Sequence, residues 1–507
     1  MIGEYTNKNG ALSEAPGAQA SCLPSVRKHA QISSHSLKRE SIASALFALT
    51  RSWQAGRLRS QRRAAFIVSS LICILTSVGT FAQQPSAITV QQGTMGAQGL
   101  YVIRNARIVT VSGPEIENGT VVIRNGKIEA VGASVSVPAG AQEVDARGLV
   151  VYPGMMDAGT SMGLVEISSG APGTVDLSEI GDMNPNAQAI VAVNPHSAHI
   201  AVTRTNGVTN ALTLPLGGII SGQAAVLNLD GTTPREMALV PAAALAVNFP
   251  RVATTSFDAF FNPQTANINE AITTRDKQVE QLRKLLRDGE AYGRAQDAYA
   301  RDNKLPRPDQ NVLLAALVPY VRGERPVIFR ADREQEIRAA VRFADEMRLR
   351  AIIIGGDDAW KAATLLKERN VPVILTGVLD TPLREDDYYD VLYENAAKLK
   401  EAGVRFCIST GDTGAHVRDL PFQAGMAAAF GLSHDEALKA VTLYPAQILN
   451  VADRIGSIEQ GKLANLVITD GDLLDARTHV RYLFIEGRQI PLVNRHTELY
   501  EQFKNRK

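Results

Sequence analysis

The sequence predicts an α/β protein whose parallel strands alternate with helices along the chain. From about residue 150 to about residue 450, short apolar stretches alternate with longer charged and amphipathic ones. This alternation favours a parallel α/β architecture over an all-β or all-α one. The chain has 507 residues and a hydrophobic content of 45%, which is enough for a large core and a smaller second domain.

The alternating region divides into predicted strands and helices. Strands are expected at 207–213, 326–330, 351–355, 371–375 and 405–409. Helices are expected at 270–301, 333–348, 359–367, 386–402 and 434–441. The long charged helix lies in a segment, 268–301, that is predicted to be an insertion or a lid.

Short strands are also predicted at both ends of the folded region. Residues 101–111, 119–123 and 127–131 alternate between apolar and polar, and Asn125-Gly126 between the last two is a strong hairpin signal. Two similar stretches, GSIEQGKLANLVITDGD and VRYLFIEGRQI, occur near the C-terminus. The loop-like stretch around Gly217, Gly218 and 221–223 is rich in small residues and is predicted to be a tight connection that could turn backbone amides toward a ligand.

Charge and cysteine content exclude several classes of function. The 53 basic and 52 acidic residues leave a net charge of +1, so neither nucleic acid nor an anionic membrane is indicated, and a small molecule is the simplest partner. Cys22, Cys73 and Cys407 have no metal-ligand spacing. Cys407 lies in an apolar strand, which predicts a packed core thiol rather than a nucleophile.

The N-terminal region resembles an export signal that begins far from residue 1. Arginines at 57, 59, 62 and 63 precede an apolar run at 64–78 and a small-residue site ending at Ala82. This pattern predicts a signal peptide at 57–82, cleavage after Ala82, a linker at 83–98 and a periplasmic or secreted protein. A membrane anchor is the alternative, although the run is short for a spanning helix.

Residues 1–56 are polar and show no sustained apolar periodicity. They are expected either to be disordered or to lie upstream of the true translation start, which would then fall near Leu58. After cleavage, no intrachain disulfide could form.

The stretch VVYPGMMDAGTS at 150–161 is predicted to be a buried strand that delivers its C-terminal end to a site. It resembles the first barrel strand of the amidohydrolase superfamily, in particular the imidazolonepropionase-like branch. That strand reads Pro-Gly, two apolar residues, then Asp-x-His-x-His, and its histidines hold a catalytic divalent metal. This chain keeps Pro153, Gly154 and Asp157, but Gly159 and Ser161 stand where the histidines would be.

The resemblance extends over about residues 99–492, and the stretch GLSHDEALKAVTLYPAQILNVADRIGSIEQGKLANLVI matches especially well. It implies a distorted TIM (β/α)8 barrel at 151–454. It also implies a small composite β-sandwich domain built from both ends of the mature chain, at 99–150 plus 455–492, followed by a tail at 493–507.

The other metal-ligand positions of the family are also changed. The histidine of the fifth strand is replaced by Arg330, and that of the sixth by Gly355 or Gly356. The aspartate of the last strand aligns with Gly411, one residue before Asp412. A catalytic metal needs three or four converging ligands and an open position. No metal cofactor is therefore expected, and zinc or another divalent metal would require a rearranged site.

Several polar residues remain as candidates for a site. Asp412 and His416, just after the last barrel strand, could form an acid/base pair, or they could simply stabilise a loop. Arg330 could bind a substrate carboxylate, or could form an ion pair with a barrel carboxylate such as Asp157.

A histidine pair, His196 and His199, is a further candidate for binding a substrate or a metal. If a helix began after Pro195, the i, i+3 spacing would place both rings on one face. Solvent-facing or capping histidines at a helix start are the alternative. A relocated metal site would need three of the remaining candidate ligands to converge, and these candidates are His196, His199, Asp412, His416, Asp157 and Glu166.

The resemblance implies an exported hydrolase that cleaves a non-peptide C–N bond, in a cyclic amide or a dipeptide-like amide, through metal-activated water. The missing ligands support an alternative of a different class. In it the chain is a metal-free, catalytically degenerate member that acts as a binding or partner subunit, in a homo-oligomer or beside an active paralogue.

Overall fold

The computed structural model describes residues 96–167, 172–257, 263–411 and 413–506. The predicted N-terminal extension and signal peptide, most of the predicted linker, and Asp412 lie outside the described residues. No helix in these ranges is long and apolar enough to cross a membrane.

Both ends of the described chain contribute to one sheet. Its N-terminal strands are β1 (Ala97–Gln98), β2 (Tyr101–Ile108), β3 (Ile116–Arg124), β4 (Lys127–Gly132), β5 (Gln142–Asp145) and β6 (Val150–Pro153). Three strands from the C-terminal region, Leu466–Thr469, Val480–Ile485 and Arg488–Gln489, complete it. The Leu466–Thr469 strand pairs antiparallel with β6, so that Leu466 lies opposite Pro153. The Asn125-Gly126 turn has positive φ angles of 50° and 80°, as a tight hairpin requires.

A second sheet forms the barrel. Its strands are β7 (Met155–Thr160), β8 (Val208–Thr213), β9 (Ile220–Asn228), β10 (Ala238–Asn248), β13 (Val327–Ala331), β14 (Ala351–Gly355), β15 (Val373–Leu375) and β16 (Phe406–Ile408). Between β10 and β13 the chain forms a separate small hairpin of β11 (Thr255–Phe257) and β12 (Pro263–Thr265). β9 runs antiparallel to β8 and β10, whereas the other pairs are parallel. The predicted fold, a distorted barrel with a separate β domain from both chain ends, is confirmed.

Apolar side chains fill the inside of the barrel. Every strand of the barrel sheet contributes to one buried cluster, which contains Met156, Leu212, Val226, Ala244, Ile328, Ile354, Ile374 and Cys407 among others. Contributions from all the strands to one cluster indicate a packed interior rather than a pore. The Cys407 thiol is free and fully buried, and burial raises its pKa, so the prediction of a core thiol is confirmed.

Eight α-helices of the described chain lie between barrel strands, and four more follow β16. They are α1 (Ala189–Ala192), α2 (Ala198–Arg204), α3 (Pro234–Met237), α4 (Ile268–Arg301), α5 (Val312–Val321), α6 (Glu334–Glu346), α7 (Ala363–Glu368), α8 (Asn395–Ala402), α9 (Leu420–Ala429), α10 (His434–Ala440), α11 (Leu443–Ile448) and α12 (Arg495–Phe503). The 34-residue helix α4 begins with a capping box in which Asn267 and Glu270 bond each other's backbone.

Two sequence predictions differ from the structure. Residues 221–223, predicted to lie in a connecting loop, are inside β9, where Gly222 adopts a φ of 139° that suits glycine. The helix predicted at 386–402 is limited to Asn395–Ala402, because residues before it form turns.

Candidate ligand site at the barrel mouth

The positions of the missing metal ligands lie at one end of the barrel, because parallel strands present their carboxyl ends at the same edge. Gly159 is in β7 and Ser161 follows it directly. Arg330 lies near the end of β13, and Gly355 is the last residue of β14. Gly411 comes three residues after β16. We call this end of the barrel the mouth.

Other side chains fill the space that two of the histidines would need. A Cβ atom at Gly159 would lie 2.6 Å from Cδ1 of Ile354 and 3.1 Å from Oγ of Ser409. A Cβ atom at Gly355 would overlap the carboxylate of Asp332, and the φ of Gly355, 104°, disfavours any other residue. The mouth has therefore been repacked around these glycines.

Asp157 is fully buried and links the first barrel strand to the last. Its Oδ1 accepts hydrogen bonds from Ser409 Oγ (2.5 Å) and the Gly159 backbone N–H (3.0 Å). Its Oδ2 accepts from Thr410 Oγ1 (2.6 Å) and the Thr410 backbone N–H (3.2 Å). Burial raises the pKa of this carboxyl, and the donated hydrogen bonds oppose that shift. The network fastens β7 to β16 at the mouth.

Arg330 is partly buried at the end of β13, and its charge partner is Asp332 rather than Asp157. Burial lowers the pKa of the guanidinium, and the carboxylate of Asp332 counteracts it. The predicted internal pairing with a barrel carboxylate therefore involves Asp332 and not Asp157, the example given above, because hydroxyl and backbone donors already surround Asp157. Asp332, two residues after Arg330, is the carboxylate that takes that role.

Asp357, near the mouth, is a carboxyl whose pKa is raised far above its ordinary value. It follows β14 by two residues and is partly buried. Burial, together with the neighbouring carboxylates of Asp332, Asp380 and Asp358, raises its pKa to about 7. A carboxyl with such a pKa can accept or donate a proton at physiological pH.

A cavity of about 300 Å³ opens beside the ends of β15 and β16, and we call it the mouth cavity. Its lining is mainly polar: Thr376, Gly377, Leu379, Asp380, Thr410, Gly411, His416 and Gln423. Gln423, on α9, is 7% exposed, and its buried Oε1 has no hydrogen-bond partner among the described residues. A buried acceptor without a partner costs about 1–3 kcal/mol, so a ligand N–H would be stabilised there.

The predicted pair Asp412 and His416 is only partly described. His416 lines the mouth cavity, and its Nδ1 lies 3.2 Å from Oδ2 of Asp419. Asp412 lies outside the described residues, so its relation to His416 stays a prediction.

His196 and His199 do not share a helix face, because α2 begins at Ala198 and Ser197 is its N-cap. His196 is exposed and precedes the helix. His199 is partly buried, with Nε2 3.2 Å from the Glu166 carbonyl oxygen and 3.9 Å from its Oε2. It packs against Gly414, which places it beside the loop that follows β16.

The residues present do not fit the metal centre of the family. Glycines, a serine and an arginine stand at its ligand positions, and Ile354 and Asp332 fill two of them. Within the described ranges, no three His, Cys, Asp or Glu side chains are grouped so that they could hold a metal ion. No step of chemistry is therefore derived through a metal.

Sequence reasoning missed Asp332, Asp357 and Gln423. The first two were detectable in principle, since each follows a predicted strand at the end where barrel sites form. Gln423 carries no sequence signal, because only the packed structure shows that its carbonyl oxygen lacks a donor.

Comparisons with known proteins support the barrel fold. A model of the amidohydrolase family matches residues 338–493. Imidazolonepropionase of Mesorhizobium japonicum is 26% identical over 411 residues, which cover 75% of this chain and 94% of that protein. Dihydroorotase of Listeria monocytogenes is 40% identical over 58 residues, or 11% and 13% of the two chains. The crystal structure of an amidohydrolase from Thermotoga maritima superposes with a TM-score of 0.68 at 25% identity, covering 77% of this chain and 99% of that one.

Proposed function

We propose that this chain, which is similar to amidohydrolases that act on amide and other C–N bonds, binds an amide at its barrel mouth without a metal. The ligand is a cyclic amide or a dipeptide-like amide. The first ligands to test are imidazolonepropionate and dihydroorotate, because the two relatives above are named for them.

The filled space at Gly159 and Gly355 carries the metal-free part of the proposal. Restoring a histidine at either glycine would require Ile354 or Asp332 to move. Metal-activated water depends on several ligands that converge and on an open coordination position. We therefore assign the chain a binding role, as a subunit that works beside an active amidohydrolase.

The mouth cavity supports an amide as the ligand. Gln423 Oε1, which is buried in this structure, would accept from an amide N–H once its side chain turns toward the cavity. Hydroxyl groups of Thr376 and Thr410 also line the cavity and can donate to a carbonyl oxygen. A few placed polar groups in a concave site are what small-molecule recognition requires.

The partner protein rests on the loss of the metal ligands, and exposed apolar side chains are the first positions at which to test for it. Ile180 and Val191, on the segment after β7, are 98% and 78% exposed, and Tyr388, on the segment after β15, is 84% exposed. Contiguous patches of such residues mark protein interaction sites. The partner in this proposal is the active paralogue.

A second candidate is hydrolysis by carboxylates alone, and the pKa of Asp357, about 7, favours it. Asp357 would take a proton from water as the oxygen attacks the amide carbonyl carbon. It would then return that proton to the nitrogen as the C–N bond breaks. This reaction would be insensitive to chelators and abolished by Asp357→Asn.

Calorimetric titration of the mature protein with each amide tests the binding proposal. We expect Gln423→Leu to weaken binding by about ten-fold or more, since one buried hydrogen bond is lost. Gln447→Leu, at an exposed position of α11, is the matched control and should bind normally. The metal-free proposal would be overturned if the protein held stoichiometric metal and chelators abolished its turnover. The second candidate would be established if turnover resisted chelators and was lost in Asp357→Asn.

We also propose export, on the basis of the basic, apolar and small-residue order at 57–82. N-terminal sequencing of protein from the periplasm or the medium should then begin at Gln83. An intact signal region in protein recovered from the cytoplasm would contradict export.

A further inference from the structure

A second cavity, of about 260 Å³, is lined by arginines from separate parts of the fold. Arg251 follows β10, Arg275 lies in α4, Arg333 is the N-cap of α6, and Arg384 lies on the segment after β15. We call it the arginine cavity. Its lining residues differ from those of the mouth cavity.

Some of the charges in the arginine cavity are already neutralised. Arg384 donates to Asp358 (Nη2 to Oδ2, 2.7 Å) and lies 3.2 Å from Asp387. The carboxylate of Glu334 pairs with Arg338 at 2.8 Å. The carboxylate of Glu336 accepts hydrogen bonds from the backbone N–H groups of the two residues before Glu334, at 3.3 and 3.4 Å.

Two further arginines of the lining, Arg251 and Arg333, are exposed and make no close ion pair with any described residue. Burial raises the pKa of Asp332, and the guanidinium of Arg251 is near enough to that carboxyl to oppose the rise. Arg275 lies 2.7 Å from Asp276, yet its buried Nε has no aligned hydrogen-bond acceptor in the described part of the chain. Positive groups that share one cavity repel each other, and a bound anion would offset that repulsion.

The start of α6 adds to the positive field. This helix has 13 residues and begins at Glu334, on the wall of the cavity. The amino end of a helix carries partial positive charge, which favours a bound anion. Part of this field is already met, because the backbone N–H of Glu334 donates to Asp358 Oδ2 at 3.3 Å, so the guanidinium groups are the main attraction for an anion.

We propose that the arginine cavity binds a small anion through the guanidinium groups of Arg251 and Arg333. Planar guanidinium groups suit the paired oxygens of carboxylates and phosphates, which is the shared chemistry of the expected ligands. The cavity accepts a molecule carrying one or more such groups. This site goes beyond the proposed function, because no residue of the mouth cavity contributes to it.

Titration of the mature protein with citrate and, separately, with inorganic phosphate at low ionic strength tests the proposal. We expect measurable binding of at least one anion, weakened by added NaCl. The double variant Arg251→Gln/Arg333→Gln should bind the anion at least about ten-fold more weakly than the wild type does. Arg235→Gln, exposed at the opposite end of β10, is the matched control and should bind as the wild type does.

The two anions distinguish the ligand classes: preference for citrate indicates a carboxylate ligand, and preference for phosphate a phosphorylated one. Both substituted side chains are exposed, so the melting temperature of the ligand-free double variant should match that of the wild type. Gln423→Leu should bind the anion normally, which separates this site from the amide site. Unchanged anion affinity in the double variant, or no binding of either anion by the wild type, would overturn the proposal.

Discussion

The carboxylate of Asp332 occupies the space into which a side chain at Gly355 would project. Gly355 also has a φ of 104°, so a larger residue there would be strained as well as crowded. We expect Gly355→Ala to lower the free energy of unfolding by about 2 kcal/mol or more. Urea denaturation of the single variant and of Asp332→Ala/Gly355→Ala measures both effects. The double variant should recover the steric part of the loss, and equal losses in both backgrounds would contradict the overlap.

Restoring the histidines of the first strand should not restore a metal site. In Gly159→His/Ser161→His the first ring would meet Ile354 and Ser409, and no further ligand would face it from Arg330 or Gly355. We expect zinc content by plasma mass spectrometry to equal that of the wild type after dialysis. One zinc per chain, retained by the variant and absent from the wild type, would show that the mouth can rearrange to hold a metal.

The carboxylate of Asp157 should matter more for stability than any exposed acid. Asp157→Ala leaves the buried N–H and hydroxyl of Thr410 without an acceptor and leaves the Ser409 hydroxyl only the Gly159 carbonyl oxygen, at 3.2 Å. We expect a loss of about 3 kcal/mol or more in the free energy of unfolding. Asp309→Ala, at an exposed position, is the control and should be neutral. A similar stability for both variants would mean that the network between β7 and β16 contributes little.

The fold was predictable where local patterns and global packing agree. The 351–355 strand coincides with β14 because four apolar residues end in glycine, and the Asn125-Gly126 hairpin follows from turn chemistry. β9 and β10 were missed, because glycine, alanine and proline within them weaken the strand signal, and pairing in the barrel overrides it. Tertiary context decides such segments.

The site was less predictable than the fold. The sequence showed that histidines are missing at Gly159 and Ser161, but it could not show what fills the space. The partner of Arg330 is an example: the sequence suggested Asp157, and only the burial and charge contacts of the folded chain identify Asp332. Residues that act through packing, such as Ile354, carry no chemical signal of their own.

Asp357 and Asp358 are adjacent in the chain, yet their pKa values shift in opposite directions. Burial and neighbouring carboxylates raise the pKa of Asp357 to about 7. Burial would also raise the pKa of Asp358, but hydrogen bonds from Arg384 and Lys361 outweigh it and lower that pKa. The two variants Asp357→Asn and Asp358→Asn should therefore change the pH dependence of stability in opposite senses.

The folded-state pKa of Asp357 lies above its ordinary value of 3.8, so between about pH 4 and about pH 7 the folded protein binds more protons than the unfolded chain. This group therefore reduces stability as pH rises through that range, and the reduction is complete above pH 7. We expect Asp357→Asn to be more stable than the wild type at pH 8 by about 1–2 kcal/mol, allowing for solvent screening, and to differ little at pH 4. Asp358→Asn should instead be less stable at pH 8, because Arg384 and Lys361 lose their partner. Denaturation curves at pH 5, 6, 7 and 8 measure both, and a pH-independent difference between Asp357→Asn and the wild type would show that Asp357 ionises normally.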